Sequence, residues 1–320
     1  MRPIHTDLPE PAAGMLRAKR PTGVTMALVV LVLVIAVQSI PSVTQSVVTA
    51  VQATVNGEPF SLGPVGGSDR WSGVIGVLSF GLALLALWLW LAAKERRPFA
   101  TLGFEGVASA GLRRAARGFG LGVAMIAICV LVPVALGQAQ LSWTSPDATS
   151  WAFVLIMLLG FLLQGSTEEV LTRGYLTQAV ARRWGLVAAV IVQTVFFTLL
   201  HGANPGIGLL PIVNLVVFAV FASMFSLAEG SLWGICALHG AWNWAQGNLF
   251  GVRVSGTELS DAVFGYSAQP GSIDLVTGGD FGLEGSLITT AVYLVGIAIA
   301  WRVFRKKRAA SAAAPAPAAV

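Results

Sequence analysis

Apolar positions run through this chain in long uninterrupted stretches separated by short polar connections. Eight stretches predict helices able to cross a hydrocarbon core of roughly 30 Å, which takes about 20 helical residues. They cover residues 23–40, 71–93, 118–137, 151–171, 186–203, 209–227, 231–250 and 284–303. The expected fold is all-α, a polytopic membrane helix bundle of about eight transmembrane helices. The run at 23–40 follows "LRAKR" and alone has the length of a signal h-region. It lacks an A-x-A cleavage site and reads as a retained span.

Composition agrees with this pattern: of 320 residues 55% are hydrophobic and 11% charged, against roughly 25% charged in soluble domains. The net charge of +5 does not point to nucleic acid, because Lys and Arg gather in short connections instead of one patch. Their alternation between connections predicts cytoplasmic termini by the positive-inside rule. Trp71, Trp90, Trp151, Trp184 and Trp301 fall at or near span ends, where the headgroup layer suits an amphipathic ring. Cys129 and Cys236 lie in apolar runs and read as small hydrophobes. The expected organisation is a disordered cytoplasmic arm at 1–22, N-terminal transmembrane helices at 23–150, a catalytic helical domain at 151–250, an exported loop at 251–283, a last span at 284–303, and a basic then Ala/Pro-rich tail at 304–320. The excess of Arg over Lys, 16 against 4, suggests a GC-rich bacterium and hence a bacterial cell membrane.

Ionisable groups inside spans cost about 2.5–3.5 kcal/mol each on insertion scales and mark function by default. Here they concentrate. Glu168, Glu169 and Arg173 end the fourth run, His201 ends the fifth, and His239 with Asn243 lies in the seventh. Residues four apart share a helix face, so Glu169 pairs with Arg173 while Glu168, rotated by about 100°, stays free. The same spacing relates Phe197 to His201 and His239 to Asn243. Gly165, Gly202 and Gly240 permit close helix approach. Each feature has a plainer counterpart: an ion pair closing a helix end, or a polar side chain joining two helices. As a set they suit hydrolysis of an amide. In one arrangement Glu168 is the general base, His201 orients the water, and His239 and Asn243 donate to the oxyanion. In another, Glu168, His201 and His239 hold zinc with one open position. The sequence has no H-E-x-x-H and no G-x-S-G, and "TGGD" at 277–280 misses an aspartyl G-x-G-D at its first position.

"EEVLTR" reads as EExxxR, "FTLLH" as FxxxH and "HGAWN" as HxxxN, in that order on successive helices. The set resembles the CPBP family of intramembrane proteases, which includes the CAAX prenyl endopeptidases and bacterial proteins linked to bacteriocin processing or self-immunity. The similarity covers roughly 150–250, and "TGGDFGLEGSL" extends it towards residue 303. It implies that Glu168 and His201 activate water, that His239 and Asn243 stabilise the oxyanion, and that Glu169 and Arg173 organise the site. The expected partners are the lipid bilayer and a membrane-associated protein or peptide substrate. The competing expectation is a non-catalytic immunity or scaffold protein; a transporter lacks matching interrupted helices.

One conflict follows from the spans themselves. With an inward fourth span and an outward fifth, Glu168 and His201 would sit at opposite faces. A helix over 151–183 would measure about 50 Å at 1.5 Å per residue. It would carry Glu168 to mid-membrane, with a break expected at Gly174.

Overall fold

The computed structural model describes residues 4–57 and 69–313; the last part of the Ala/Pro-rich tail, 314–320, lies outside them. The fold is helical, in the order α1 Val24–Val55, α2 Arg70–Trp90, α3 Ala108–Ala135, α4 Ala148–Glu169, α5 Thr177–Leu200, α6 Leu209–Glu229, α7 Trp233–Trp244, the short α8 Asp274–Thr277, and α9 Leu287–Ala313. Two five-residue strands, β1 Ala139–Trp143 and β2 Phe264–Ala268, pair antiparallel from Ala139↔Ala268 to Trp143↔Phe264. Aspartates start two of the helices: the Asp69 carboxylate accepts from the backbone of Trp71 and Ser72, and Asp147 accepts from Ser150 N at 2.7 Å. Leucines and valines of α1, α2 and α5 cover the outside, among them Leu33, Leu85 and Val187. That apolar surface belongs against lipid, and the protein is an integral membrane protein.

Among the described residues, six helical stretches are long and apolar enough to cross a membrane, and they hold seven of the eight expected runs. Two features account for the difference. Residues 148–200 hold two helices in one stretch: α4 runs through a π-helical segment Val170–Leu176 into the first part of α5, and a second helix follows the non-helical Gly185. The expected break at Gly174 is absent; the chain reverses at Gly185, at φ 82°, ψ 170°, a conformation closed to most side chains. The second feature is α7, whose 12 residues continue into a π-helical turn Ala245–Leu249 and are packed between α3 and α4. It lies inside the bundle, shielded from lipid.

The connections sort onto two faces. On one, His5 N donates to Arg182 O at 3.0 Å, Arg117 pairs with Glu229, and Lys307 Nζ donates to Ala228 O at 2.6 Å. On the other, β1 meets β2, Asn204 Nδ2 donates to Ser255 O at 3.1 Å, and Arg70 pairs with Asp261 at 2.9 Å. The arm and the end of α9 therefore share a face.

The arm differs from the solvated segment expected. Ala12–Arg17 is a 3₁₀ helix with Ala12 and Met15 fully buried. Gln178 Nε2 donates to Pro11 O and Thr101 O at 2.8 and 2.9 Å, and Gln178 Oε1 accepts from Arg97 Nη1 at 2.6 Å. Arg97 is itself paired with the buried Glu95 at 2.6 Å. These groups satisfy the arm's backbone and let its few apolar residues close over the helix below.

Candidate active site

The site forms where α4 crosses α7, and two glycines set the distance between them. A Cβ on Gly165 would stand 2.5 Å from Gly240 N, and one on Gly240 would stand 2.6 Å from Phe161 O. Only hydrogen on both sides permits this approach. One turn beyond Gly165, Glu169 reaches His239, whose Nδ1–H donates to Glu169 Oε1 at 2.9 Å.

Glu169 and Arg173 pair as their spacing predicts, with Nη1 to Oε1 at 3.0 Å and side chains 0% and 1% exposed. The guanidinium carbon stands 4.5 Å from the Phe197 ring centre and 5.4 Å from that of Phe218. Those rings in turn flank the imidazoles: Phe197 to His201 is 4.5 Å between centres, and Phe218 to His239 is 4.8 Å. The ion pair therefore braces both histidines, His239 by a direct hydrogen bond and His201 through an aromatic ring.

Glu168 is separate from this brace. Its Oε2 lies 3.9 Å from His201 Nε2 and 3.9 Å from His239 Nε2, buried and without a hydrogen-bond partner. Its Oε1 accepts from Gln164 Nε2, and Gln164 Oε1 accepts from Asn243 Nδ2 at 2.9 Å. His201 Nδ1–H donates to Phe197 O at 2.9 Å, which leaves Nε2 as an acceptor in the neutral ring. The reversal at Gly185 brings His201 back to the level of Glu168, so the conflict between the two spans does not arise. All six residues singled out, Glu168, Glu169, Arg173, His201, His239 and Asn243, converge on one place. Asn243, one turn beyond His239 on α7, meets Gln164 of α4.

Sequence reasoning missed Gln164, Phe218 and Glu284. Gln164 was readable as a polar residue one turn before Glu168 on the same face; Phe218 is one apolar residue of an apolar helix and gave no signal. Glu284 lines the same cavity as Glu168 and accepts from Gln246 Nε2 at 3.1 Å and from Ser255 through backbone N and hydroxyl. Burial pushes its carboxyl above the ordinary range, and the bonds from Ser255 and Gln246 oppose that shift. The cavity holds about 480 Å³ and reaches from Glu168, His201 and His239 to Asp69, Arg70 and Asp261.

As placed, the donor set is wider than a closed zinc site. Ligands at about 2.0–2.1 Å in a tetrahedral zinc site stand roughly 3.4 Å from one another. The carboxylate oxygen here is 3.9 Å from each ring nitrogen. Among the described residues, no group of three His, Cys, Asp or Glu side chains is placed to hold a metal ion.

No curated protein and no solved structure matches the chain. Residues 150–245 match the protein-family model described as Rce1-like, type II CAAX prenyl endopeptidase, and the matched stretch contains all six site residues. Over that stretch the chain is similar to the CPBP family of intramembrane proteases, as its three motifs predict, and the match supports membrane endopeptidase activity in general.

Proposed function

We propose that the protein hydrolyses a peptide bond in a membrane-associated protein or peptide, with water activated by Glu168 and His201. The observation that carries this reading is the buried, unpartnered Glu168 Oε2 placed 3.9 Å from two imidazole nitrogens. A separation of that size between polar atoms suits a bridging water.

The roles follow from the hydrogen bonds. A water between Glu168 Oε2 and His201 Nε2 donates one hydrogen to each and turns a lone pair to the scissile carbonyl. Attack forms the new C–O bond while the proton passes to Glu168. The same proton then goes to the departing amide nitrogen as the C–N bond breaks. When its ring carries both protons, His239, its Nδ1–H held by Glu169, presents Nε2–H to the oxyanion, and the second Nδ2–H of Asn243 adds another donor. Gln164 fixes Glu168 and Asn243 relative to one another. Arg173 touches no reacting atom; it holds Glu169 and the two phenyl rings in place.

A scaffold or immunity protein would use the same residues for packing alone. The decisive comparison is between cells carrying wild type and Glu168→Gln, with membrane and secreted peptides measured by mass spectrometry. The near-isosteric amide preserves packing but removes the base. Peptides lost in the variant identify the substrate; an unchanged peptide set would refute proteolysis.

A further inference from the structure

The route into the cavity points to one side of the membrane. Its lining at and beyond the ends of the long helices comes from the face opposite the arm: Asp69, Arg70, Asn204, Glu258, Asp261 and Glu284. None of the described connections on the arm's face contributes. On that face the way is closed, since residues 169–181 are buried without interruption. Tyr175 and Leu176 are 0% exposed, and Met15, Leu102 and the Arg97–Glu95 pair fill the space beneath them.

Charge assigns the two faces. Among the described residues, the connections on the cavity side carry only Arg70 and Arg253 as basic groups, paired with Asp261 at 2.9 Å and Asp280 at 2.8 Å. The opposite face carries Arg17, Lys19 and Arg20, the cluster from Lys94 to Arg117, Arg182 and Arg183, and the basic end of α9. Basic connections remain in the cytoplasm. The cavity then opens outward.

From this placement we infer that the site is served from the exported side, and that its substrate is a membrane-anchored polypeptide cut in the segment where it leaves the outer leaflet. A substrate tail confined to the cytoplasm has no path to Glu168. The cavity of about 480 Å³ falls within the roughly 300–1,000 Å³ of sites for small ligands, enough for a short extended stretch of chain. Gln38, Ser39 and Ser42 line it from α1, giving that stretch polar groups to meet within the membrane. The substrate class rests on the proteolytic reading above; the sidedness does not.

Two measurements separate those claims. Glu258→Cys and Ala203→Cys place thiols at exposed positions on the cavity side, and Ser109→Cys places one on the arm's face; native Cys129 and Cys236 are buried. With a membrane-impermeant maleimide, the first two are expected to label in intact cells as fully as after permeabilisation, and Ser109→Cys only after it. Labelling confined to Ser109→Cys in intact cells, or equal for all three, overturns the sidedness, and two cavity-side positions guard against one misfolded variant. Peptides that disappear with Glu168→Gln are expected to map to exported juxtamembrane segments. If they map to cytoplasmic segments, the substrate class is wrong while proteolysis stands; if none disappears, proteolysis fails and with it the substrate class, while the labelling still decides the side.

Discussion

Removing both members of the Glu169–Arg173 pair should cost far less than the two single removals added together. The side chains are 0% and 1% exposed, which places them with buried pairs, where loss of one partner costs about 3–5 kcal/mol. The two truncations are not equivalent. Glu169→Ala strands a guanidinium whose Nε and Nη2 already lack partners and also releases His239 Nδ1; its cost is expected near 5 kcal/mol. Arg173→Ala leaves Glu169 still bonded to His239, so about 3 kcal/mol is expected. The double variant strands no charge of the pair and should lose roughly 5 kcal/mol rather than the sum, a coupling of about 3 kcal/mol at the upper end for neighbouring residues. Unfolding of the purified protein in mixed micelles, driven by an ionic detergent and followed by circular dichroism, measures all three. Losses that add within about 0.5 kcal/mol, or single losses below about 1 kcal/mol as for an exposed pair, would refute the brace.

Glu168→Gln and His201→Ala should each abolish turnover in a purified assay without lowering thermal stability, and the double variant should be no worse than either, because residues acting on one water fail as a unit; substantial residual activity in Glu168→Gln would refute its role as base. Gly240→Ala forces a Cβ to within 2.6 Å of Phe161 O, so overpacking should cost about 1–3 kcal/mol and reduce activity through the Glu169–His239 contact; wild-type stability would refute the close crossing. Gln164→Leu should lower kcat with little change in unfolding midpoint, since it frees Glu168 and Asn243 while keeping volume; an unchanged kcat would remove Gln164 from the site. Strong chelators should leave activity intact, and loss with recovery on zinc add-back would overturn the carboxylate–imidazole mechanism.

Local periodicity determined much of this from sequence alone. The runs of apolar residues specify helices because backbone groups in lipid must be satisfied within the segment. Four-residue spacing specifies that Glu169 faces Arg173 and that Phe197 faces His201, since both follow from the pitch of one helix. Spacing within a helix says nothing about which helices touch, and there the sequence reading fell short. Whether His201 reaches Glu168 depends on a reversal at Gly185 instead of Gly174, a choice between two glycines eleven residues apart that look alike in the chain. Asn243 has a carboxamide partner 79 residues away on α4, and no period links them. The arm at 4–22 looks polar residue by residue, yet Gln178 and Arg182 supply its backbone with partners from α5, far along the chain. Tertiary structure also decided access, because the closed face and the open one are made of connections that meet only once all the helices are packed.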